Sequence, residues 1–110
     1  MAENLCDLMC TPCRGGIDPM GPVEAAAQLA GVPGWSLLDD GRRLERRYSF
    51  PDFRSALAFV DRVGALAESQ GHHPDLALGW GWATVAWWTH KIGGLHRNDF
   101  IMAARTDTLL

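Results

Sequence analysis

The chain has no run approaching the ~20 apolar residues that a membrane-spanning helix needs, so no membrane association is expected. It has no excess of base either: 10 Lys and Arg stand against 13 Asp and Glu, a net charge of −3. Proteins that bind nucleic acid by neutralising phosphates need a basic face, so no direct nucleic-acid binding is expected. The one basic cluster, Arg42-Arg43 with Arg46-Arg47, is interrupted by Leu44 and Glu45 and reads as the solvated face of a strand. The segment Met1 to Asp7 is acidic and lacks the basic-then-apolar order of a signal peptide. A cytoplasmic location is the expectation, and there the cysteines stay reduced. No internal repeat is visible.

Cysteine is scarce, and Cys6, Cys10 and Cys13 are confined to the first stretch. Their spacing superficially matches an iron–sulfur loop, but so short a chain has no barrel to shield a cluster. A tetrahedral zinc site wants a fourth ligand nearby, and the next histidine is His72. No metal is expected, and the thiols read as structural or incidental.

What is present is an ordinary soluble composition, 47% hydrophobic and 21% charged over 110 residues. That makes one domain with one core. A domain this small leaves apolar surface exposed, so self-association is expected. Residues 1–20, rich in Gly, Pro and Cys, read as an irregular arm, and residues 21–110 as the single domain.

Gly21-Pro22 opens a short helix, Val23 to Ala30, with Val23, Ala26, Ala27 and Ala30 on one face. Glycine and proline between Gly31 and Gly34 stop it. Trp35 to Leu38 reads as a strand, and Asp40-Gly41 as the turn into a second, Arg42 to Phe50. There Leu44, Tyr48 and Phe50 share one parity and Arg43, Glu45, Arg47 and Ser49 the other, so one face meets a core. The spacing predicts a long helix over Asp52–Ser69. Phe53, Ala56, Leu57, Val60, Gly64 and Ala67 make its stripe, widened by Phe59, Val63 and Leu66. Gly71 ends it. Leu76–Trp80 and Ala83–Thr89 form a second hairpin around Gly81, with an aromatic load suited to half-buried strands. Gly93-Gly94 precedes a last helix over Arg97–Thr108.

The order α-β-β-α-β-β-α gives an α+β fold: a four-stranded antiparallel sheet with helices packed on one face. Edge strands in so small a sheet invite pairing with a second copy, so a homodimer is expected, with a tetramer as the further possibility.

Chemistry concentrates at element ends. His72 and His73 follow the long helix, and His90 closes the last strand. A hairpin between them returns its second end near its first, which brings His90 towards the pair. Glu68 lies one turn before His72, and Asp99 lies early in the last helix. Such a set admits metal binding or acid–base work by imidazoles that titrate near neutrality. Neighbouring histidines in an extended segment point opposite ways, which opposes shared ligation. Residue types and spacing leave the choice open.

Glu68-x3-His72-His73-Pro74, five residues to Trp80, nine to His90 and eight to Asp99 resemble the signature of the pterin-4a-carbinolamine dehydratases. Gly34-Trp35, the Phe50 to Phe53 segment, Thr89-His90 and Gly93-Gly94-Leu95 fit the same pattern. The Cys10 to Gly16 stretch is similar to the leader of bacterial members, so the likeness spans Cys10 to Leu109. It implies an enzyme that removes water from a 4a-hydroxytetrahydropterin, regenerating the cofactor of aromatic amino-acid hydroxylases without metal or redox cofactor.

By that resemblance His72, His73 and His90 are the catalytic set. His73 and His90 form the proton-transfer pair and His72 orients substrate. Gly71, His72, His73 and Pro74, with Trp88, Thr89, His90 and Lys91, line the pterin site; Glu68 and Asp99 support it. Trp35 is either pocket wall or core. Trp88 replaces a smaller residue usual in the family. His96 replaces a threonine, which removes a good N-cap from the last helix. The resemblance also admits another class. Relatives of this shape act as binding modules, either as a dimerising partner of a transcription factor or as an assembly factor for ribulose bisphosphate carboxylase. The complete histidine set favours the enzyme.

Overall fold

Proline opens the first element: with fixed φ and no N–H to leave unpaired, Pro22 starts α1 (Pro22–Leu29). The computed structural model describes residues 19–110, so most of the expected arm, with Cys6, Cys10 and Cys13, lies outside the described residues. The expected α1 face is not the one used. Ala25 is buried, with Leu29 and Val32 packing beside it, and Val23 is 85% exposed. Residues 25, 29 and 32 are spaced to meet the sheet, whereas the alanines at 26, 27 and 30 carry too little apolar surface to dictate the helix's rotation.

β1 (Ser36–Leu38) and β2 (Arg43–Ser49) pair antiparallel, with Leu37 opposite Leu44. α2 (Phe53–Gln70) follows; Asp52 caps it by accepting the Ser55 N–H at 2.8 Å, which holds the Asp52 carboxyl below its usual value. Gly71 ends α2 in the left-handed region at φ 63°, which costs glycine no Cβ clash. β3 (Asp75–Gly79) and β4 (Trp82–Trp87) form the second hairpin. A short 3₁₀ turn (His90–Ile92) and α3 (Arg97–Asp107) complete the chain. The sheet order is β1-β2-β4-β3, all antiparallel, so β1 and β3 are its edges. The fold is α+β, as its sequence pattern implies. None of the described helices is long and apolar enough to cross a membrane.

The core lies on the face of the sheet carrying Leu44, Tyr48, Ala83, Val85 and Trp87. It is covered by Phe59, Val63 and Leu66 of α2 and Phe100, Met102 and Ala103 of α3. Each large side chain fully buried there contributes about 1.5–3 kcal/mol. The stripe of α2 is rotated from the expected one. Ala56, Phe59, Val63, Leu66 and Ala67 are buried, but Phe53 and Leu57 are about half exposed. The bulkier Phe59–Val63–Leu66 line fills more of the space above the sheet and wins the core. Trp80 lies beyond β3, 73% exposed in the turn, rather than half-buried in a strand. Glycine stands at position 79, the last residue of β3, because an added Cβ would clash with the Trp82 indole.

The far end of α3 is fastened by one carboxylate. Asp107 accepts from Trp35 Nε1 at 3.1 Å, Arg46 Nη1 at 3.0 Å and the Tyr48 hydroxyl at 2.5 Å. Burial, reinforced by the bond to Asp107 and its charge, pushes the Tyr48 phenol far above its usual value, with Arg46 opposing. This clamp fixes α3 against β2, and α3 carries Asp99 at its other end.

Candidate active site

Asp99 sits in the first turn of α3 and is fully buried. A buried carboxylate must have its lone pairs filled, and here three groups fill them. Oδ1 lies 2.6 Å from His72 Nε2; Oδ2 accepts the Thr89 hydroxyl at 2.8 Å and the His96 backbone N–H at 2.9 Å. His96 itself is the N-cap: its Nδ1 accepts the Asn98 N–H at 3.2 Å and completes a capping box with Asp99. The expectation that losing threonine at position 96 removes the cap is therefore corrected. An imidazole with a free lone pair does the work of the hydroxyl.

His72 is placed by the end of α2. The turn at Gly71 lets the His72 N–H reach back to the Ala67 carbonyl at 3.2 Å, which points the ring inward. Its side chain is 11% exposed and stacks on Trp87, with ring centroids 5.6 Å apart and planes within 6°. The short contact engages Nε2 and leaves Nδ1 as the ring nitrogen that Asp99 does not touch.

The next residue turns the other way, as extended backbone requires. His73 is 61% exposed by side chain, and its Nε2 lies 3.5 Å from Glu68 Oε2. Glu68 thus faces His73 rather than His72. The pair borders an open groove of about 570 Å³ between α2 and β3, lined also by Leu57, Val60, Gly64, Pro74 and Leu76.

His90 begins the 3₁₀ turn and is exposed. Its ring stacks on Trp88 at 3.8 Å with planes 23° apart, and the Trp88 indole N–H donates to Asp75 Oδ2 at 3.1 Å. Strand alternation therefore gives each of two histidines its own tryptophan: Trp87, on the core face, carries His72, and Trp88, on the opposite face, carries His90. Lys91 is exposed beside His90. Trp35 lies with Asp107 at the opposite end of α3 from Asp99, edge-on to Tyr48, as a core tryptophan.

The structure thus joins His72, Thr89 and Asp99 directly. His73 follows His72, and His90 follows Thr89. One buried carboxylate therefore ties together the two backbone segments on which the exposed rings stand. Among the described residues no hydrogen bond links the three imidazoles to one another. Sequence reading missed Trp87, Asp75 and Arg43. The parity of β4 could have paired the tryptophans with opposite faces, but Asp75 and Arg43 needed the strand register.

Asp99 is thus bonded to His72 and Thr89, each followed in the chain by an exposed histidine, and imidazoles are the side chains most often used in general acid–base chemistry. Residues 18–109 match the family model described as Pterin 4 alpha carbinolamine dehydratase. The chain belongs to that family. A protein of Aromatoleum aromaticum, named "Putative pterin-4-alpha-carbinolamine dehydratase", is 57% identical over 109 residues, covering 99% of this chain and 97% of its own. A relative of the same type from Cupriavidus pinatubonensis is 59% identical, covering 99% and 94%.

Among solved structures, the transcriptional coactivator/pterin dehydratase of Brucella melitensis superposes with a TM-score of 0.78 at 25% identity, over 84% of this chain and 98% of that one. A pterin dehydratase-like protein described as a RuBisCO assembly factor in the alpha-carboxysome gives 0.60 at 25% identity, over 69% and 88%.

Proposed function

We propose that this protein dehydrates 4a-hydroxytetrahydrobiopterin to quinonoid dihydropterin in the cytoplasm, recycling the cofactor of aromatic amino-acid hydroxylases. The reaction needs a proton delivered to the 4a-hydroxyl, which leaves as water, and a proton removed from a ring nitrogen. His73 and His90 exchange those protons, and the buried His72 orients the pterin. The segments Gly71 to Pro74 and Trp88 to Lys91 form the walls of its site. Asp99 is the observation that carries the reading. A buried carboxylate bonded to both His72 and Thr89 serves to hold two histidine-bearing segments in register, and general acid–base catalysis depends on such placement. Glu68 supports His73 from α2.

The test is spectrophotometric. A hydroxylase generates the 4a-hydroxytetrahydropterin, and quinonoid formation is followed by absorbance with and without the protein. Acceleration over the spontaneous reaction is expected; an unchanged rate ends the proposal. The functional unit is proposed to be a homodimer or a tetramer, since β1 and β3 leave sheet edges open. A light-scattering mass of one chain at micromolar concentration would exclude both.

The RuBisCO assembly neighbour favours a second reading, a binding module for a larger protein assembly. It gains if the assay shows no acceleration while a mixture with the carboxylase subunits elutes as one complex.

A further inference from the structure

His72 and His73 each have a carboxylate, Asp99 and Glu68. Among the described residues none bonds the His90 ring, although the proposed function gives His90 a proton to move. What holds it is the Trp88 indole at 3.8 Å, a stack that fixes the plane of the imidazole but needs a fixed indole beneath it. Trp88 is only half-buried, and its flank opens into a cavity of about 430 Å³ lined by Asp39, Asp40, Arg42, Arg43 and Gly93. The indole packs against the core on one side and adjoins this cavity on another. Among the described residues its one hydrogen bond is from Nε1 to Asp75 Oδ2 at 3.1 Å.

Asp75 is placed for this by register. It opens β3 opposite Ala86, two residues before Trp88 on the same face of the neighbouring strand. On the other side of β4, Leu44 pairs with Trp87, so Arg43 lies next to Trp88. Its Nη2 stands 3.5 Å from the same Asp75 oxygen that accepts the indole N–H. Both groups are partly exposed, so that ion pair contributes little by itself. It keeps the acceptor oxygen turned towards the indole.

We propose that Asp75 is a positioning residue: through the Trp88 indole it fixes the ring of His90 for proton transfer. The chain Arg43, Asp75, Trp88, His90 does on the outer face of the sheet what Asp99 does for His72 on the core face. The catalytic consequence rests on the dehydratase reading; the placement of the ring does not.

The test compares Asp75→Ala, which removes the acceptor, with Asp75→Asn, which keeps an oxygen for the indole N–H. In wild-type protein the His90 ring protons are expected upfield in the NMR spectrum, shifted by the indole ring current. Asp75→Ala should move them towards the position of a free histidine, and Asp75→Asn should restore most of the shift. In the dehydration assay Asp75→Ala should lower kcat roughly 10-fold to 100-fold, the scale of a misplaced catalytic group. KM and Tm should stay close to wild type, and Asp75→Asn should recover most of the rate.

His90 resonances that do not move in Asp75→Ala overturn the proposal, whatever the rate. Moved resonances with an unchanged kcat overturn its catalytic part. If the wild-type protein has no dehydratase activity, the enzyme reading fails instead, and the resonances alone decide whether Asp75 positions His90.

Discussion

Replacing His73 and His90 together by alanine is expected to bring quinonoid formation down to the spontaneous rate while leaving the fold intact. Each positioned acid or base contributes about 10²–10⁴-fold, and the double variant removes both. The stability side is favourable because both rings are exposed and neither fills the core. Surface substitutions of this kind usually stay within about 0.5 kcal/mol. The His73–Glu68 contact, exposed on both sides, adds little. Tm should therefore move by only a few degrees, near 4–8 °C per kcal/mol for a domain of roughly this size. Stopped absorbance assays and a thermal melt on the same preparation check it. Turnover at the wild-type rate in the double variant refutes the assignment of these two rings.

Asp99→Ala should act on fold and activity at once. The carboxylate is fully buried, and its loss leaves the Thr89 hydroxyl, the His96 N–H and the His72 ring without their partner. Leaving these three groups unsatisfied costs about 1–3 kcal/mol each, together a large share of the roughly 5–15 kcal/mol that holds a domain together. A fall in Tm well over about 10 °C is expected, by the same conversion. Activity should collapse even in the fraction that stays folded, because the segments bearing His73 and His90 lose their common tether.

Asp99→Asn separates the two effects. Its carbonyl oxygen can still accept from Thr89 and His96, so the loss of stability should be clearly smaller. Its amide then faces His72 Nε2 as a donor, which demands the other tautomer of that ring. The dehydration rate should therefore fall nearly as far as in Asp99→Ala. A stable Asp99→Asn variant with wild-type kcat would show that His72 orientation does not matter to the reaction.

Most of the fold was legible because its signals are local. Alternation from Leu44 to Tyr48 set the buried face of β2. Asp52 and Gly71 marked both ends of α2, and Pro22 marked the start of α1. What failed were choices between two faces of similar apolarity. α1 buries Ala25 instead of the alanine face at 26 and 27, and α2 turns Phe59 rather than Leu57 inward. Helical periodicity supplies both options, and only the volume available over the sheet selects one.

The site divides in the same way. By itself the sequence determined which residues could carry chemistry and where the chain would present them. His72 and His73 follow a helix stop, His90 ends a strand, and Asp99 lies in a first helical turn, all read from local chemistry and from family resemblance. Tertiary structure alone decided their partners: Asp99 with His72 and Thr89, Glu68 with His73, and Trp88 with His90. Those pairings depend on strand register, on which way adjacent side chains alternate and on the seat of α3 against the sheet. They join residues as far as 27 positions apart, a separation at which neither periodicity nor capping carries information.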